Sequence, residues 1–423
     1  MASDSAIPTP DIVLVSFGGH HVDTNHRHHH GLDEAKEIYR HKDMAQALYD
    51  EGEIMNGVLV NLHGDEHRSR RRLENRLFRR DTLDHYEHER FPPIIDATLS
   101  PHVEAGSSEL VTLSHQLMMN LAAFNAGVDR PTGTAAETHR LYAQMMKFIE
   151  GATIAHSTRD KAVVNGEVAE AMGRFQTEFL DPSIERRHAL IDSVVAGDAD
   201  ESSLPRDVLT VLLRNVDQLP LPADIIQREI AFFLLAGAHT SATAFTRSLD
   251  NIFTWIELHP EDEDRLRADR LFVQRCVHET VRLQPSSPVA QRWARSDVTR
   301  KDGSVISSGS KVVIDLMSVN RDVAIFGADA AVFNPHRIVS RDDVGPFGLS
   351  FGHGMHHCIG QELAAGVLLG EGDDAGNHLF GLATIAVQAM IDCGARRDPA
   401  NPPVIDAATS RPYWSSYPVV FTG

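Results

Sequence analysis

A glycine-rich segment near the C-terminal end of the chain carries a single cysteine. Its sequence, Phe351-Gly-His-Gly-Met-His-His-Cys-Ile-Gly360, leads into a helical pattern. Glycines at 352, 354 and 360 let the backbone turn tightly and approach a flat ligand, and N–H groups at a helix start stabilise a thiolate. This pattern would present Cys358 as a soft-metal ligand. For Cys358 taken alone, a free cysteine buried in a turn is the commoner case.

The residues around the cysteine are more specific than the cysteine itself. Phe351, Gly354, His356, Cys358 and Gly360 resemble the haem-binding loop of the cytochrome P450 family. The resemblance implies that Cys358 is the axial ligand of the iron in haem b (iron protoporphyrin IX) and that Phe351 contacts the cofactor. It also implies one cytochrome P450 domain over residues 1–423. The implied fold is mainly α with small β sheets, with haem between a long central helix and the cysteine loop.

Three charged residues upstream resemble the structural triad of the same family. Glu279 and Arg282 lie at i and i+3 and share one helix face, and Arg337 closes the stretch Phe333-Asn-Pro-His-Arg337. Alone, the first two would more often form a solvated ion pair, but the resemblance implies that the triad holds the haem loop. Asn320-Arg-Asp322 is similar to the family's NRDP stretch, with a valine in place of its proline.

Four cationic or histidine side chains match the positions that bind the two haem carboxylates in this family. They are His67 and Arg71, an HxxxR pair, together with Arg292 and His356. Charge-assisted hydrogen bonds are the physical reason for these residue types. Each histidine must be protonated or donate a neutral N–H, and the sequence leaves that choice open.

The segment Ala236-Gly-Ala-His-Thr-Ser241 lies on the predicted long helix, where the family has its oxygen-binding signature. Thr240 matches that signature, but His239 stands where an acid is expected. Gly237 weakens the helix, and a Thr240 hydroxyl bonded to the Ala236 carbonyl loosens its ladder, so together they would open a groove for dioxygen next to the cofactor. The resemblance implies that Thr240 relays protons. We expect monooxygenation with proton delivery altered by His239, unless its imidazole points away.

The residues that share the Thr240 face by helical spacing are candidates to line a substrate pocket, with plain core packing as the alternative. They are Phe232, Phe233, Ala236, Thr243 and Ala244. The stretch at residues 51–63 is shorter than the family's usual substrate-recognition loop, so the pocket entrance is expected to be open or covered by another segment.

Residues 67–80, here called the basic segment, contain seven arginines and one acid, Glu74, in an otherwise acidic chain. In the family that the sequence resembles, this helix lies on the cysteine side of haem, where electrons enter. We therefore expect it to dock an acidic ferredoxin or flavodoxin-type electron donor, with a solvated basic helix face as the alternative.

Periodicity and helix-stop signals supply the elements that would position these residues. A helix is predicted over 223–258, entered through Pro-Leu-Pro and left at Pro260, and others over 269–283 and 66–81. In residues 298–316, β-branched residues alternate around glycine-containing turns, which predicts short strands. After Gln361 a helical pattern is interrupted by turn-forming residues at 370–377, which predicts an extra surface loop.

Composition excludes several classes of protein. The 423 residues carry a net charge of −19, which disfavours nonspecific nucleic-acid binding. The longest strongly apolar stretch, residues 230–238, is too short to span a membrane, and the N-terminus does not resemble a secretory signal, so we expect a cytoplasmic protein. Three cysteines do not make a disulfide framework. The histidine cluster at 26 and 28–30 is expected to be a solvated loop rather than a metal site.

The sequence thus favours a haem-thiolate monooxygenase that inserts one oxygen atom of O2 into an apolar small molecule, with electrons from a ferredoxin or flavodoxin-type partner. Two alternatives remain: a peroxide-using haem-thiolate enzyme, suggested by His239, and a haem-binding protein without turnover. The substrate, the position attacked, the individual redox partner and the oligomeric state do not follow from the sequence.

Overall fold

The computed structural model describes residues 27–29, 31–339, 341–370, 375–407 and 413–422. Of the histidine cluster, residues 26 and 30 lie outside these ranges, and the backbone of Arg27–His29 forms a strand. Within the described residues, no group of three or more His, Cys, Asp or Glu side chains is arranged to hold a metal ion.

Helices make up most of the described chain. The α-helices are α1 (Leu32–Arg40), α2 (Gly64–Glu74), α3 (Arg80–His85), α4 (Phe91–Glu104), α5 (Leu110–Ala126), α6 (Ala135–Ala152), α7 (Lys161–Phe175), α8 (Asp181–Ala196), α9 (Val208–Arg214), α10 (Ala223–Leu258), α11 (Glu263–Ala268), α12 (Arg270–Leu283), α13 (Leu316–Val319), α14 (Val323–Phe326), α15 (Gln361–Ala365) and α16 (Leu382–Asp392). None of the described helices is long and apolar enough to cross a membrane.

The long helix α10 has the bounds that the sequence predicts, and it runs through the core beside α5. Leucines at 110, 113, 117 and 121 give α5 a fully buried stripe. Gly237 of α10 meets α5 closely, because a Cβ built on it would lie 3.1 Å from the Ala122 Cβ. The missing side chain therefore lets the two helices approach.

Two pairs of helices join through wide π-type turns. Tyr86–Arg90 links α3 to α4, and Gln176–Leu180 links α7 to α8. In both cases proline follows within two residues, at Pro92 and Pro182. Proline lacks the N–H of the regular helical ladder and its ring collides with the carbonyl four residues earlier. The wider turn lets each helix continue past its proline.

The predicted helix over 66–81 is two helices instead of one. Helix α2 ends at Glu74, a 3-10 turn spans Asn75–Phe78, and the backbone is extended at Arg79 before α3 begins. This break buries Leu77 and brings Phe78 to the central cavity. Helical spacing alone does not reveal it, since the arginines on either side are good helix formers.

The strands form four small sheets. They are β1 (Arg27–His29), β2 (Met44–Gln46), β3 (Ser107–Glu109), β4 (Val289–Ala294), β5 (Val298–Thr299), β6 (Val305–Ile306), β7 (Lys311–Asp315), β8 (Ala395–Arg397), β9 (Val404–Ile405), β10 (Trp414–Ser416) and β11 (Pro418–Phe421). The largest sheet has the order β1-β7-β4-β2, with β1 parallel to β7 and the other pairs antiparallel. The strands predicted over 298–316 are confirmed as β5, β6 and β7.

Between α15 and α16 the chain leaves the helix and returns to the same point. A Cβ on Gly381 would lie 2.1 Å from the Gly366 amide nitrogen, and the Val367 N–H donates to the Leu379 carbonyl at 2.9 Å. The Gln274 side chain donates to the carbonyls of Ala365 and other residues at this base. Residues 366–380 are here called the insertion, and 371–374 lie outside the described residues. The loop was predicted over 370–377 only, because helix α15 ends at Ala365, earlier than its pattern suggests.

Candidate active site

A cavity of about 330 Å³ lies between α10 and the cysteine loop, residues 351–360. Its floor includes Cys358, Phe351 and Gly360, and its roof includes Gly237 and Thr240. Side chains from α2, β4 and the segment before α2 form the walls. The structure thus brings together residues that the sequence separates by more than two hundred positions.

The cysteine loop is shaped by backbone contacts and by positive-φ glycines. The Cys358 N–H donates to the Phe351 carbonyl at 2.8 Å, which closes the loop. Gly354 has φ +71°, and a Cβ there would lie 2.4 Å from the Tyr39 carbonyl oxygen, so only glycine fits against α1.

The Cys358 side chain is open to the cavity although it is surrounded by protein. Burial raises the pKa of this thiol, while the Gly360 N–H and the Arg71 charge act in the opposite direction. Burial therefore outweighs the favourable N–H group in the chain alone, although the Gly360 N–H acts on the thiolate in the direction that the sequence predicts.

Glu279, Arg282 and Arg337 form the buried triad implied by the resemblance. Both Glu279 oxygens accept from the Arg282 guanidinium at 2.7 Å, and Arg337 donates to Glu279 at 3.0 Å. Arg282 is fully buried. Burying charged groups costs desolvation free energy, and the attraction between them offsets this cost only when their polar atoms are also hydrogen-bonded.

Asn320 connects this triad to the cysteine loop. Its side-chain amide donates to the Arg282 carbonyl at 3.0 Å and to the Ser350 hydroxyl at 2.8 Å. Its side-chain oxygen accepts from the Leu349 N–H at 2.8 Å. The segment that enters the cysteine loop is thus hydrogen-bonded to the helix that carries the triad, a role that the sequence analysis did not assign to Asn320.

The four predicted carboxylate-binding side chains meet at one end of the cavity. The rings of His67 and His356 are 4.5 Å apart between centroids, and Arg71 and Arg292 line the same wall. Arg292 stacks over Tyr39 with its guanidinium carbon 4.8 Å from the ring centre. Burial, with the charge of Arg71, lowers the pKa of His67 to about 4, and burial likewise lowers that of His356. In the chain alone both histidines are therefore neutral near pH 7.

This end of the cavity fits a ligand with two carboxylates. His67 Nδ1 and His356 Nε2 are buried without a hydrogen-bond partner among the described residues. Arg71 and Arg292 form no ion pair with any carboxylate of the described chain, although Arg292 donates to the Gln46 side chain at 2.7 Å. Buried donors without an acceptor are costly, so this donor set fits the two carboxylates of haem.

Thr240 and Gly237 lie on the cavity side of α10. The Thr240 hydroxyl donates to the Ala236 carbonyl at 2.8 Å, as predicted, and the Ser286 hydroxyl donates to the Thr240 carbonyl at 2.9 Å. Helix α10 nevertheless continues without interruption through Gly237. The predicted loosening of the helix is therefore not present as a break in this structure.

His239 lies outside the set of described residues that line the cavity. Its ring stacks against His115 of α5, with centroids 6.0 Å apart and planes inclined by 12°. Tyr413 packs edge-on against the same His115 at 6.1 Å. The imidazole thus faces α5 and the C-terminal segment, which is the pointed-away arrangement that the sequence analysis left open.

Most of the predicted pocket face is confirmed as cavity lining. Phe232, Phe233, Ala236 and Ala244 contact the cavity. Thr243 does not, because it is buried beside His239 and donates to its carbonyl at 2.9 Å. The segment before α2 covers the opposite side, where Tyr49, Leu59 and Val60 are among the lining residues that sequence reasoning missed. Leu59 and Val60, from the short stretch at 51–63, therefore form part of the cavity wall on this side.

The seven arginines of the basic segment divide into two groups. Arg70 is buried and Arg71 reaches the cavity. The side chains of the other five are exposed: Arg68, Arg72, Arg76, Arg79 and Arg80. The segment adjoins the cysteine loop, because a Cβ on Gly360 would lie 3.8 Å from the Phe78 ring. The exposed arginines, of which Arg68 pairs with Asp65, thus lie on a segment that contacts the cysteine loop.

Comparison with known proteins agrees with this geometry. The family model for cytochrome P450 matches residues 20–367. The chain is 27% identical to pulcherriminic acid synthase of Bacillus subtilis (strain 168) over 77% of this chain and 76% of that protein. It is 33% identical to cytochrome P450 734A5 of Oryza sativa subsp. japonica, over 33% of this chain and 29% of that protein.

Solved structures show the same fold at lower identity. CYP109E1 from Bacillus megaterium, in complex with testosterone, superposes with a TM-score of 0.68 at 17% identity, covering 94% of both chains. The family model spans most of this chain, and the cavity carries the cysteine, the triad and the carboxylate-binding donors. The chain therefore belongs to the cytochrome P450 family of haem b-dependent monooxygenases.

Proposed function

We propose that this chain, as one catalytic domain over residues 1–423, inserts one oxygen atom of O2 into an apolar small molecule. Cys358 carries this proposal, because its thiol opens into the cavity opposite Thr240. When bound, haem supplies a thiolate-ligated iron that activates O2 with two electrons. Cys358 would hold the iron, and His67, Arg71, Arg292 and His356 would hold the carboxylates, with Phe351 and Gly237 in contact with the cofactor.

The cavity surface supports an apolar substrate. Phe232, Phe233, Ala236 and Ala244 present carbon surface from α10, and Leu59 and Val60 present it from the opposite wall. No Asp or Glu is among the described lining residues. A charged substrate would therefore lose hydration without finding an ion partner near Thr240. The testosterone in the CYP109E1 complex is an apolar ligand of a protein with this fold.

The electron donor is proposed to be an acidic ferredoxin or flavodoxin-type protein. Five exposed arginines beside the cysteine loop form a cationic surface on a chain of net charge −19. Charge complementarity steers such encounters and makes them sensitive to salt. Docking here brings the partner to the side of the cavity that holds Cys358.

Thr240 is proposed to hold the proton-relaying position, with His239 acting from outside the cavity through the helix that both residues share. The Thr240 hydroxyl is fixed by the Ala236 carbonyl, so its oxygen faces the cavity in a defined position. A peroxide-using enzyme is the second candidate, because no carboxylate lines the described cavity and His239 faces α5. Peroxide supplies both electrons and both protons, so no electron donor is needed, and one proton would still have to move from one peroxide oxygen to the other.

The first experiment is the reduced carbon-monoxide difference spectrum of the haem-loaded protein beside Cys358→His. A strongly red-shifted Soret band in the wild type that is lost in the variant supports thiolate ligation. A histidine-type band in the wild type would contradict the proposal. Turnover of apolar compounds with ferredoxin and its reductase, compared with hydrogen peroxide alone, then separates the two candidates. Ligand-induced spectral shifts without any product would indicate a binding protein.

A further inference from the structure

Two carboxyl groups and one guanidinium are buried together where α2 crosses α10. Glu74 and Glu229 are each 0% exposed, and Arg70 is 2% exposed. Arg70 Nη1 lies 2.6 Å from Glu229 Oε2. Neither Glu74 nor Glu229 lines the cavity, and the redox, haem-binding and triad residues described above do not include them. This group is called the buried carboxyl pair.

The buried carboxyl pair needs a proton. Both Glu74 oxygens are buried, no donor from the described residues reaches them, and the carboxyl lies within hydrogen-bonding reach of Glu229. Two carboxylates in contact repel strongly when buried, and Arg70 neutralises only one of them. A carboxyl that contacts another carboxyl, without any other donor, must itself be the donor. The arrangement is therefore neutral when Glu74 is protonated and Glu229 is ionised.

The charged groups around the pair are few. Helix α2 contributes Arg70 and, farther toward the cavity, Arg71. Glu229 of α10 pairs with Arg70, and the segment at Leu59 contributes a backbone N–H. Arg228, the neighbour of Glu229 on α10, pairs with Asp224. Helix α9 also packs on α2, but its described residues place no ion-pair partner on either carboxyl. Burial raises the pKa of both groups above the ordinary range of a carboxyl.

Glu229 connects this pair to the wall of the cavity. Both of its oxygens lie 3.1 Å from the Leu59 N–H. Leu59 and its neighbour Val60 line the cavity opposite the α10 phenylalanines. Arg70, on the other side of Glu229, directly precedes the cavity residue Arg71. A single buried carboxylate therefore fixes the position of two cavity walls relative to α10.

We propose that Glu229 is a positioning residue for the cavity, and that the proton it shares with Glu74 keeps the Leu59–Val60 wall attached to α10. Loss of that proton leaves two buried carboxylates against one arginine. Moving Glu229 toward water relieves the repulsion but breaks its bonds to Leu59. The wall then loosens as the pH rises through the titration of the pair. The assignment rests on the proposed function only in naming the cavity as a substrate site.

Hydrogen–deuterium exchange of the haem-loaded protein tests this directly. Exchange is measured between pH 6 and 9 and corrected for its intrinsic pH dependence. Once the pair begins to lose its proton, the protection of the peptide that contains Leu59 is expected to fall by about tenfold per unit of pH. Glu74→Gln keeps a donor toward Glu229 and removes the titrating proton, so its Leu59 peptide is expected to stay protected at both pH values.

The matched control is Glu137→Gln. Glu137 is also buried and accepts backbone N–H groups, from Thr132 and Gly133, and no hydrogen bond or ion pair joins it to another carboxyl within the described part of the chain. This variant is expected to keep the wild-type pH dependence at Leu59. Equal corrected protection of Leu59 at pH 6 and pH 9 in the wild type would overturn the proposal, and that result needs no variant to fold. Persistence of the loss in Glu74→Gln would also overturn it.

Ligand affinity provides a second measurement of the Leu59–Val60 wall. The dissociation constant of 4-phenylimidazole, corrected for its own protonation, is expected to rise from pH 6 to 9 in the wild type and to stay constant in Glu74→Gln. Parallel curves for the two proteins would contradict a role in positioning the cavity. Because the exchange experiment requires no turnover, its failure leaves the proposed monooxygenase activity untouched, and absence of turnover leaves the exchange result readable.

Discussion

Arg282 and Asn320 exchange hydrogen bonds across the protein core. The Arg282 guanidinium donates to the Asn320 carbonyl at 2.6 Å, and the Asn320 side-chain amide donates back to the Arg282 carbonyl at 3.0 Å. Asn320 also accepts from the Leu349 N–H just before the cysteine loop. The position of Cys358 thus depends on a side-chain amide and not only on the charged triad.

Asn320→Asp should therefore lower both stability and haem retention. The substitution replaces the amide donor with an oxygen that faces the Arg282 carbonyl, which leaves a buried acceptor unsatisfied at a cost of about 1–3 kcal/mol. Urea unfolding and the ratio of Soret to protein absorbance measure the two effects. Asn56→Asp makes the same chemical change at an exposed site and should alter neither. Equal behaviour of both variants would refute the role of Asn320.

The close approach of Gly381 to Gly366 at the base of the insertion predicts that replacing Gly381 destabilises the fold more than replacing an unhindered glycine. Gly381 and Gly303 both have φ +82°, but a Cβ would meet the Gly366 backbone at the first and nothing within 4 Å at the second. Gly303→Ala should cost about 1–2 kcal/mol from backbone strain alone. Gly381→Ala should cost about 1–3 kcal/mol more, because the added methyl group collides with backbone. Chemical denaturation of the two variants measures the difference, and equal losses would disprove the close approach.

His278 should make stability depend on pH. It is buried against the Ala365 carbonyl, 2.7 Å from Nε2, and burial lowers its pKa from 6.5 to about 4. The unfolded chain binds this proton below pH 6.5 and the folded chain does not. The contribution is therefore complete above pH 6.5 and is lost as the pH falls toward 4.

Between pH 7.5 and 5.5 the wild type should lose about 1 kcal/mol more unfolding free energy than His278→Gln, which keeps an N–H donor without titrating. Urea denaturation at the two pH values gives this difference. His188→Gln, at an exposed position, should follow the wild type. The same pH slope in all three proteins would show that His278 does not titrate in this range.

Charge reversal in the basic segment should slow reduction by a ferredoxin. Arg72 and Arg79 are exposed and have no ion-pair partner within the described part of the chain, so Arg72→Glu with Arg79→Glu should lower the second-order rate by about tenfold or more at low salt. Arg295→Glu with Lys301→Glu is the matched control, since it reverses two exposed charges elsewhere on the chain. Stopped-flow reduction at several salt concentrations measures the effect, and a rate independent of salt and charge would rule out docking at this surface.

Thr240→Ala should uncouple electron use from product formation. Without the hydroxyl held by the Ala236 carbonyl, proton delivery at the cavity should fail, and product per electron pair should fall by about tenfold or more. Thr240→Ser keeps the hydroxyl and should retain most coupling. His239→Ala should have a smaller effect, because the imidazole lies outside the cavity lining. Product and peroxide yields per reductant distinguish these outcomes, and undiminished coupling in Thr240→Ala would remove Thr240 from the relay.

Sequence reasoning succeeded where local signals are strong. The prolines that flank α10 and the Asp269 cap of α12 mark helix ends through backbone chemistry, so both helices agree with the prediction to within one residue. The cysteine, the triad and the carboxylate-binding residues were identified by a specific pattern of residue types. Their meeting in one cavity follows from the fold that this pattern implies.

The features that the sequence did not predict depend on contacts between distant segments. Helical spacing identifies the cavity face of α10, but it does not reveal which flank α5 covers. Thr243 was therefore wrongly placed in the cavity lining, and the direction of the His239 ring stayed open. Glu74 was noted only as the single acid among arginines, since its partner Glu229 is on another helix. No local signal marks Tyr39, which meets Arg292 only after α1 folds against β4.

Because the insertion is closed at its base, its length does not determine the geometry of the cysteine loop. Because the chain departs at Gly366 and returns at Gly381 within contact distance, and because Gln274 hydrogen-bonds to both sides of that junction, segments of different length could occupy the same gap. The junction is thus a grafting point: a fluorescent label, a surface tether or a fused reductase domain could be introduced there while Cys358 keeps its place.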